Sequence, residues 1–233
     1  CGLGFYEMYL NGERVGDQVL APAVTNFDRR PLKKMLYFFD DQSNQRVLYN
    51  TFDVTSLVQK AENTVGVLLG NGWYNQRDRT VEGCMWYDTP RLLCQLEIEY
   101  TDGSTELVVT DDSWKTTTGP LLHDAIFTGE EYDARLELDG WNRNGYKDSS
   151  WKKALLVRAP KGSLHAQLAP HEKIIRILQP VSCEQKDDST YWYAFPEMIS
   201  GWAHIKVQGN AGDRIKLRFV GEEKNDFGQV DLY

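Results

Sequence analysis

The 233-residue chain has no uninterrupted apolar stretch near the roughly 20 residues that cross a bilayer, so a membrane-spanning helix is not expected. It also lacks an initiating methionine and a basic, apolar, small-residue leader pattern. The opening Cys1-Gly2-Leu3-Gly4 therefore reads as the start of an excised piece, and a signal peptide lost upstream stays open. Positive charge is scarce: 26 Lys and Arg stand against 34 Asp and Glu, for a formal charge of −8. Phosphate binding needs clustered Lys and Arg, so nucleic acid is not an expected partner. The one basic run, Arg29-Arg30-Pro31-Leu32-Lys33-Lys34, is flanked by Asp28, Asp40 and Asp41 and reads as a solvated loop.

Cysteine is sparse too. Cys1, Cys84, Cys94 and Cys183 form no CxxC pair and have no histidine cluster nearby, which argues against zinc and leaves the redox compartment open. Cys94 falls on an apolar strand face, where a free buried thiol is the plain expectation. His123, His165, His171 and His204 are scattered, none at metal-ligand spacing. The nucleophile elbow, the phosphate loop and the dinucleotide fingerprint are all absent. Glu130, Glu131 and Asp133 cluster, but Glu131 and Asp133 in one extended strand point the same way about 7 Å apart. They cannot face each other across a scissile bond, and pairing with Arg135 is the expected role of the cluster. No catalytic residue is assigned.

No segment holds a 3.6-residue apolar period for four turns, whereas period-two alternation is frequent. From Arg91 to Tyr100, one face takes Leu92, Cys94, Leu96, Ile98 and Tyr100, and the other is polar. Thr101-Asp102-Gly103-Ser104 then turns the chain back along Thr105 to Thr110, and Asn11-Gly12 does the same after Tyr6, Met8 and Leu10. Asp53 or Thr55 caps one short helical turn ahead of the apolar run Thr64 to Leu69. Trp202 to Gln208 and Asp213 to Val220 read as two more strands around Asn210-Ala211-Gly212. Trp114, Trp141 and Trp151 sit in the similar contexts DDSWK, LDGWN and DSSWK, too short to count as a structural repeat. An all-β sandwich is expected.

The most informative stretch is Leu69-Gly70-Asn71-Gly72-Trp73-Tyr74, where the chain leaves an apolar strand through two glycines and presents two large rings. One reading has the rings seal the end of the core. The other has Asn71, Trp73, Tyr74, Arg77 and Asp78 form a saccharide-binding shelf, with Trp86 and Tyr87 bracketing the far side of its polar loop. For Trp73 the continuous apolar strand beneath it favours burial.

The order of the segments carries a resemblance. GLGFYEMYLNG, VGD, LAP, TFDVTSLVQKAENTVGVLLGNGWY, YTDGSTELVVTDDSWK, TGP, IFTGEEYDARLELDGW and DSSW, in that succession from Cys1 to about Gln167, resemble the N-terminal β-sandwich of bacterial α-L-rhamnosidases of glycoside hydrolase family 78. LQPVS and SGWAHIKVQGNAGDRIKLRFVGE resemble the start of the next sandwich. The resemblance implies a jelly-roll, galactose-binding-like sandwich over 1–165, truncated at its start, and the incomplete beginning of a second over 173–233. It implies a parent hydrolase that removes terminal α-L-rhamnose from glycans with inversion. The partners implied are a rhamnose-containing glycan and the later (α/α)6 barrel that carries the family's acid and base. A periplasmic or extracellular location suits such a parent, although the residues themselves assign none.

Ala194-Phe195-Pro196-Glu197-Met198-Ile199-Ser200 stands where the family usually has a polar stretch before Gly-Trp, and 30–44 looks longer than the family's loop. The alternative reading is a free-standing carbohydrate-binding module. No cofactor is required, but some family members bind rhamnose through calcium, and oxygens of the loop from Asn71 to Asp78 are the candidate donors.

Overall fold

The computed structural model describes residues 1–28, 44–77 and 86–219. The basic run at 29–34, nearly all of the long 30–44 segment, Asp78 and Cys84 lie outside them. The chain divides into two compact units, Cys1–Lys173 and Ile174–Tyr233. The described residues are all-β apart from two single 3-10 turns, Thr55–Leu57 and Ala134–Leu136. No helix among them is long and apolar enough to cross a membrane.

The first unit is built on β1 (Gly2–Leu3), β2 (Phe5–Leu10), β3 (Glu13–Arg14), β4 (Arg46–Tyr49) and β5 (Val65–Gly70). β2 and β3 form a tight hairpin because Asn11 and Gly12 both adopt positive φ, 56° and 88°, as a two-residue turn matched to strand twist requires. β5 lies antiparallel on the other side of β2, from Phe5 opposite Gly70 to Leu10 opposite Val65, giving the order β3-β2-β5. Thr55 donates its N–H to Asp53 Oδ1 at 2.9 Å as a local Asx turn, but the N-cap of the first 3-10 turn is Val54, so neither Asp53 nor Thr55 caps it.

Next come β6 (Arg91–Leu92), β7 (Gln95–Glu99) and β8 (Thr105–Val109). The sequence predicts one strand from Arg91 to Tyr100, but the ladder breaks at Leu93 and Cys94. β6 pairs with β1 and β7 turns back on β8, so the two halves serve different partners. Cys94 is half-buried rather than buried, and burial raises its thiol pKa. β10 (Leu121–Ala125) and β11 (Gly129–Tyr132) form a hairpin. The chain finally returns through β13 (Ser163–Ala166), which runs parallel to β4.

The DDSWK and DSSWK segments prove to be related in space. In each, the Trp N–H donates to the Asp carbonyl three residues back, Trp114 to Asp111 at 3.3 Å and Trp151 to Asp148 at 3.0 Å. The two-residue strands that follow, β9 (Lys115–Thr116) and β12 (Lys152–Lys153), pair with one another, and Lys115 bridges to Asp148 at 2.6 Å.

The core of this unit includes Tyr6, Leu10, Val15 and Ala21 and a cluster of Leu3, Phe27, Val47 and Tyr74, with Cys1 and Tyr87 packed against that cluster. Tyr74 and Tyr87 stack with ring centres 5.6 Å apart, and Phe27 meets both edge-on at 5.3 and 5.4 Å.

The second unit contains one described hairpin, β14 (Ser182–Gln185) with β15 (Tyr191–Ala194). No described residue of this unit is buried, and Tyr191, Trp192 and Tyr193 are all exposed. Of the expected strands, 202–208 and the described part of 213–220 form no ladder among the described residues. The turn between them forms, with Asn210 and Asp213 bonded at 2.7 and 3.0 Å. Alternation supplies an apolar face without supplying a strand to pair with.

Candidate functional site

β5 ends at Gly70 and the chain then passes close to the N-terminal end of β2. A Cβ on Gly72, which adopts φ +47°, would stand 2.6 Å from the backbone nitrogen of Phe5. The glycines of the LGNGWY stretch therefore permit a close backbone crossing.

Past that crossing the two rings part. Tyr74 points inward and is 2% exposed, and burial raises its phenol pKa. With its ring enclosed by Phe27 and Tyr87 it has no face to offer a sugar, and it leaves the expected shelf. Trp73 is only half-buried, with its ring edge-on to Phe127 at 5.7 Å. The seal therefore falls to Tyr74, and Trp73, expected to be buried over the apolar strand, is only partly so, because residues 72–74 form a turn closed by the Asn75 N–H on the Asn71 carbonyl at 3.1 Å.

The polar members are joined by a run of hydrogen bonds. The Asn71 N–H donates to Asp124 Oδ2 at 2.6 Å, and Asn71 Nδ2 donates to the Asp124 carbonyl at 2.8 Å. Asn71 Oδ1 accepts from Asn75 Nδ2 at 2.6 Å, and Asn75 Oδ1 accepts from Arg77 Nε at 3.1 Å. Arg77 then lies over the Trp86 ring, 4.5 Å from its centre, while Asn75 and Trp86 form an antiparallel bridge. Beneath this run Gln76 is 1% exposed and donates to the Gly72 carbonyl, plugging the loop.

Asn71, Trp73 and Arg77 are therefore brought together as the sequence suggests, and Asp78 lies outside the described residues. Sequence reasoning misses Asp124 and Phe127, both on the β10–β11 hairpin some fifty residues away. An ionisable residue within the otherwise apolar or neutral run Leu121-Leu122-His123-Asp124-Ala125 was the available signal.

The same hairpin leads to Asp133, whose two oxygens accept from Arg135 Nε at 2.8 Å and Nη2 at 2.6 Å. That pair holds the Asp133 carboxyl at a pKa of about 2, which agrees with the ion pair expected there. A calcium ion takes six to eight oxygen ligands. Among the described residues no three His, Cys, Asp or Glu converge, the Asn71 oxygen and Asp124 Oδ2 already accept hydrogen bonds, and Asp78 lies outside the described residues.

The chain matches the α-L-rhamnosidase N-terminal domain family over residues 1–38 and 39–176. It belongs to that family. It is 32% identical over 222 residues to an α-L-rhamnosidase of Formosa agariphila, covering 93% of the chain and 22% of the relative. Against an α-L-rhamnosidase of Alteromonas sp. (strain LOR) the identity is 31% over 231 residues, or 96% of the chain and 23% of the relative.

Among solved structures, the α-L-rhamnosidase of Dictyoglumus thermophilum superimposes with a TM-score of 0.70 at 38% identity, over 82% of this chain and 19% of that one. The Aspergillus terreus enzyme gives 0.69 at 32% identity, over 82% and 20%. The chain spans about a fifth of the length of the curated relatives it matches.

Proposed function

We propose that the chain is the non-catalytic N-terminal portion of an α-L-rhamnosidase that removes terminal α-L-rhamnose from glycans with inversion. The observation that carries this is the family match over residues 1–176 against relatives several times longer. The chemistry supports it. Inversion needs an acid and a base roughly 6.5–9.5 Å apart across the sugar. Here Asp133 is held by Arg135, and Asp124 accepts from the backbone of a loop.

In this reading 1–165 is a jelly-roll, galactose-binding-like sandwich and 173–233 begins a second, incomplete one. The antiparallel pairing of strands far apart in the chain, β1 with β6, supports a sandwich topology. The rest of the parent, with its (α/α)6 barrel, supplies the acid and base and is the first partner of both units. In the test, the purified 233-residue chain leaves an aryl α-L-rhamnoside intact while the full-length parent hydrolyses it. Turnover by the short chain above a buffer control overturns the reading.

A second reading is favoured by the half-exposed ring of Trp73 beside Asn71 and by the Arg77–Trp86 pair, with Trp86 39% exposed. Here the loop binds saccharide through Asn71, Trp73, Arg77 and Asp78, without hydrolysis. Titration of the chain with L-rhamnose, with and without calcium, tests it, and absence of binding in both arms rejects it.

A further inference from the structure

The 71–77 loop owes little of its shape to the strand it leaves. Its first residue is held on both sides of the peptide by one partner, since Asn71 N–H reaches the Asp124 carboxylate at 2.6 Å and Asn71 Nδ2 reaches the Asp124 carbonyl at 2.8 Å. Its exposed ring is held by Phe127, three residues further along the same hairpin, with centres 5.7 Å apart.

The approach leaves only a tight space for a side chain at the end of β5, one that the Asp124 carboxylate would have to yield. A Cβ on Gly70 would lie 3.0 Å from Asp124 Oδ2. From Asn71 the contacts continue through Asn75 to Arg77, so these three polar residues of the loop are linked by hydrogen bonds to one carboxylate.

We propose that Asp124 is the positioning residue of this loop, setting Asn71 directly and Arg77 through Asn75, while Phe127 sets Trp73, for recognition of a neutral saccharide. The ligand class rests on the saccharide-binding reading above, but the positioning role does not. Asp124 touches no ligand in this arrangement. A neutral sugar suits the loop because its partly exposed groups are an aromatic ring, two carboxamides and a guanidinium that already lies over Trp86.

The experiment compares the 233-residue chain with its Asp124→Ala and Asp124→Asn variants. Amide hydrogen exchange is read at Asn71, and Trp73 emission is isolated by subtracting Trp73→Phe spectra. Alanine removes the acceptor, so the Asn71 amide exchanges at least tenfold faster and Trp73 emission shifts to the red. Asparagine keeps an acceptor oxygen and restores both readouts, which a merely space-filling role would not distinguish. Asp124→Ser, whose hydroxyl is too short to reach Asn71, replaces alanine if that variant fails to fold.

Unchanged exchange and emission in the alanine or serine variant overturns the proposal. L-Rhamnose is then titrated into each variant. An affinity loss of tenfold or more in alanine, restored in asparagine, supports the full inference. Loop loosening in the alanine or serine variant, together with no rhamnose binding by the wild-type chain, supports the positioning role and rejects the saccharide reading alone.

Discussion

A Cβ on Gly4 would stand 2.2 Å from the carbonyl oxygen of Gly70, so the chain entering β2 passes the end of β5 where Gly4 has no room for a side chain. Gly4 also adopts φ +104°, a region that other residues rarely enter. The obstructing atom is backbone, which no rotamer change can move away. Gly4→Ala is therefore expected to destabilise the first unit by roughly 1–3 kcal/mol from backbone strain, with steric displacement adding to that. A thermal melt unchanged within error would show that the two backbones can separate at no cost.

The turns were the most legible part of the chain, because their chemistry is local. Asn11-Gly12 and Asp102-Gly103 encode positive φ within two residues, and both turns form where expected. Strand pairing was less legible, since Arg91 to Tyr100 alternates as one strand yet is divided between β1 and β8 by partners the pattern does not name. The same limit applies to Ile205, Val207, Ile215 and Leu217, whose alternation is real and whose ladder is absent from the described residues. At the candidate site, Asn71 and Trp73 could be read from the glycines around them. Asp124 could not, because its role arises from a contact spanning 53 positions.

Tyr74 and Trp73 are neighbours with different surroundings, and substitution should separate them. Tyr74 is enclosed in the core, so Tyr74→Ala is expected to cost about 3–5 kcal/mol, as large aromatic truncations do. Trp73 keeps part of its ring in water and has Phe127 as its ring partner, so Trp73→Ala is expected to cost about 1–2 kcal/mol. Denaturant unfolding of both variants decides this. A larger loss at Trp73 than at Tyr74 would reverse the assignment of seal and exposed ring.

Two carboxyls near the β10–β11 hairpin should respond to pH in opposite directions. Burial raises the pKa of Asp124, and hydrogen bonds from Asn71 and Gly72 offset this only in part. Its folded form takes up a proton more readily than the unfolded chain. This site's contribution to stability therefore grows as pH falls through the raised value and is lost as pH rises through it.

Asp133 is held at about 2 by Arg135, so its contribution is present above the ordinary carboxylate range and is lost as pH falls from about 4 towards 2. NMR titration of the side-chain carboxyls checks both directions. Arg135→Ala should return Asp133 towards 4, and Asp124→Asn should remove the first component of the pH dependence while leaving the second.

The second unit offers the last expectation. Residues 174–219 contain a two-stranded hairpin and no buried residue, while Ile175 and Ile177 are 88% and 81% exposed. An isolated hairpin is marginal in water, because two strands cannot enclose an apolar face. Cys1–Lys173, by contrast, closes a core around Leu3, Phe27, Val47 and Tyr74. Limited proteolysis of the 233-residue chain should therefore cut first after Lys173, at sites such as Arg176, Lys186 and Lys206, and leave a resistant product ending near residue 173. In the full-length parent, where the proposal gives this segment its missing strands, the same sites should resist cleavage at least tenfold longer. Equal resistance of 174–219 in the short chain and in the parent would show that the hairpin is stable without further strands, and would overturn the reading of 173–233 as the beginning of an incomplete sandwich.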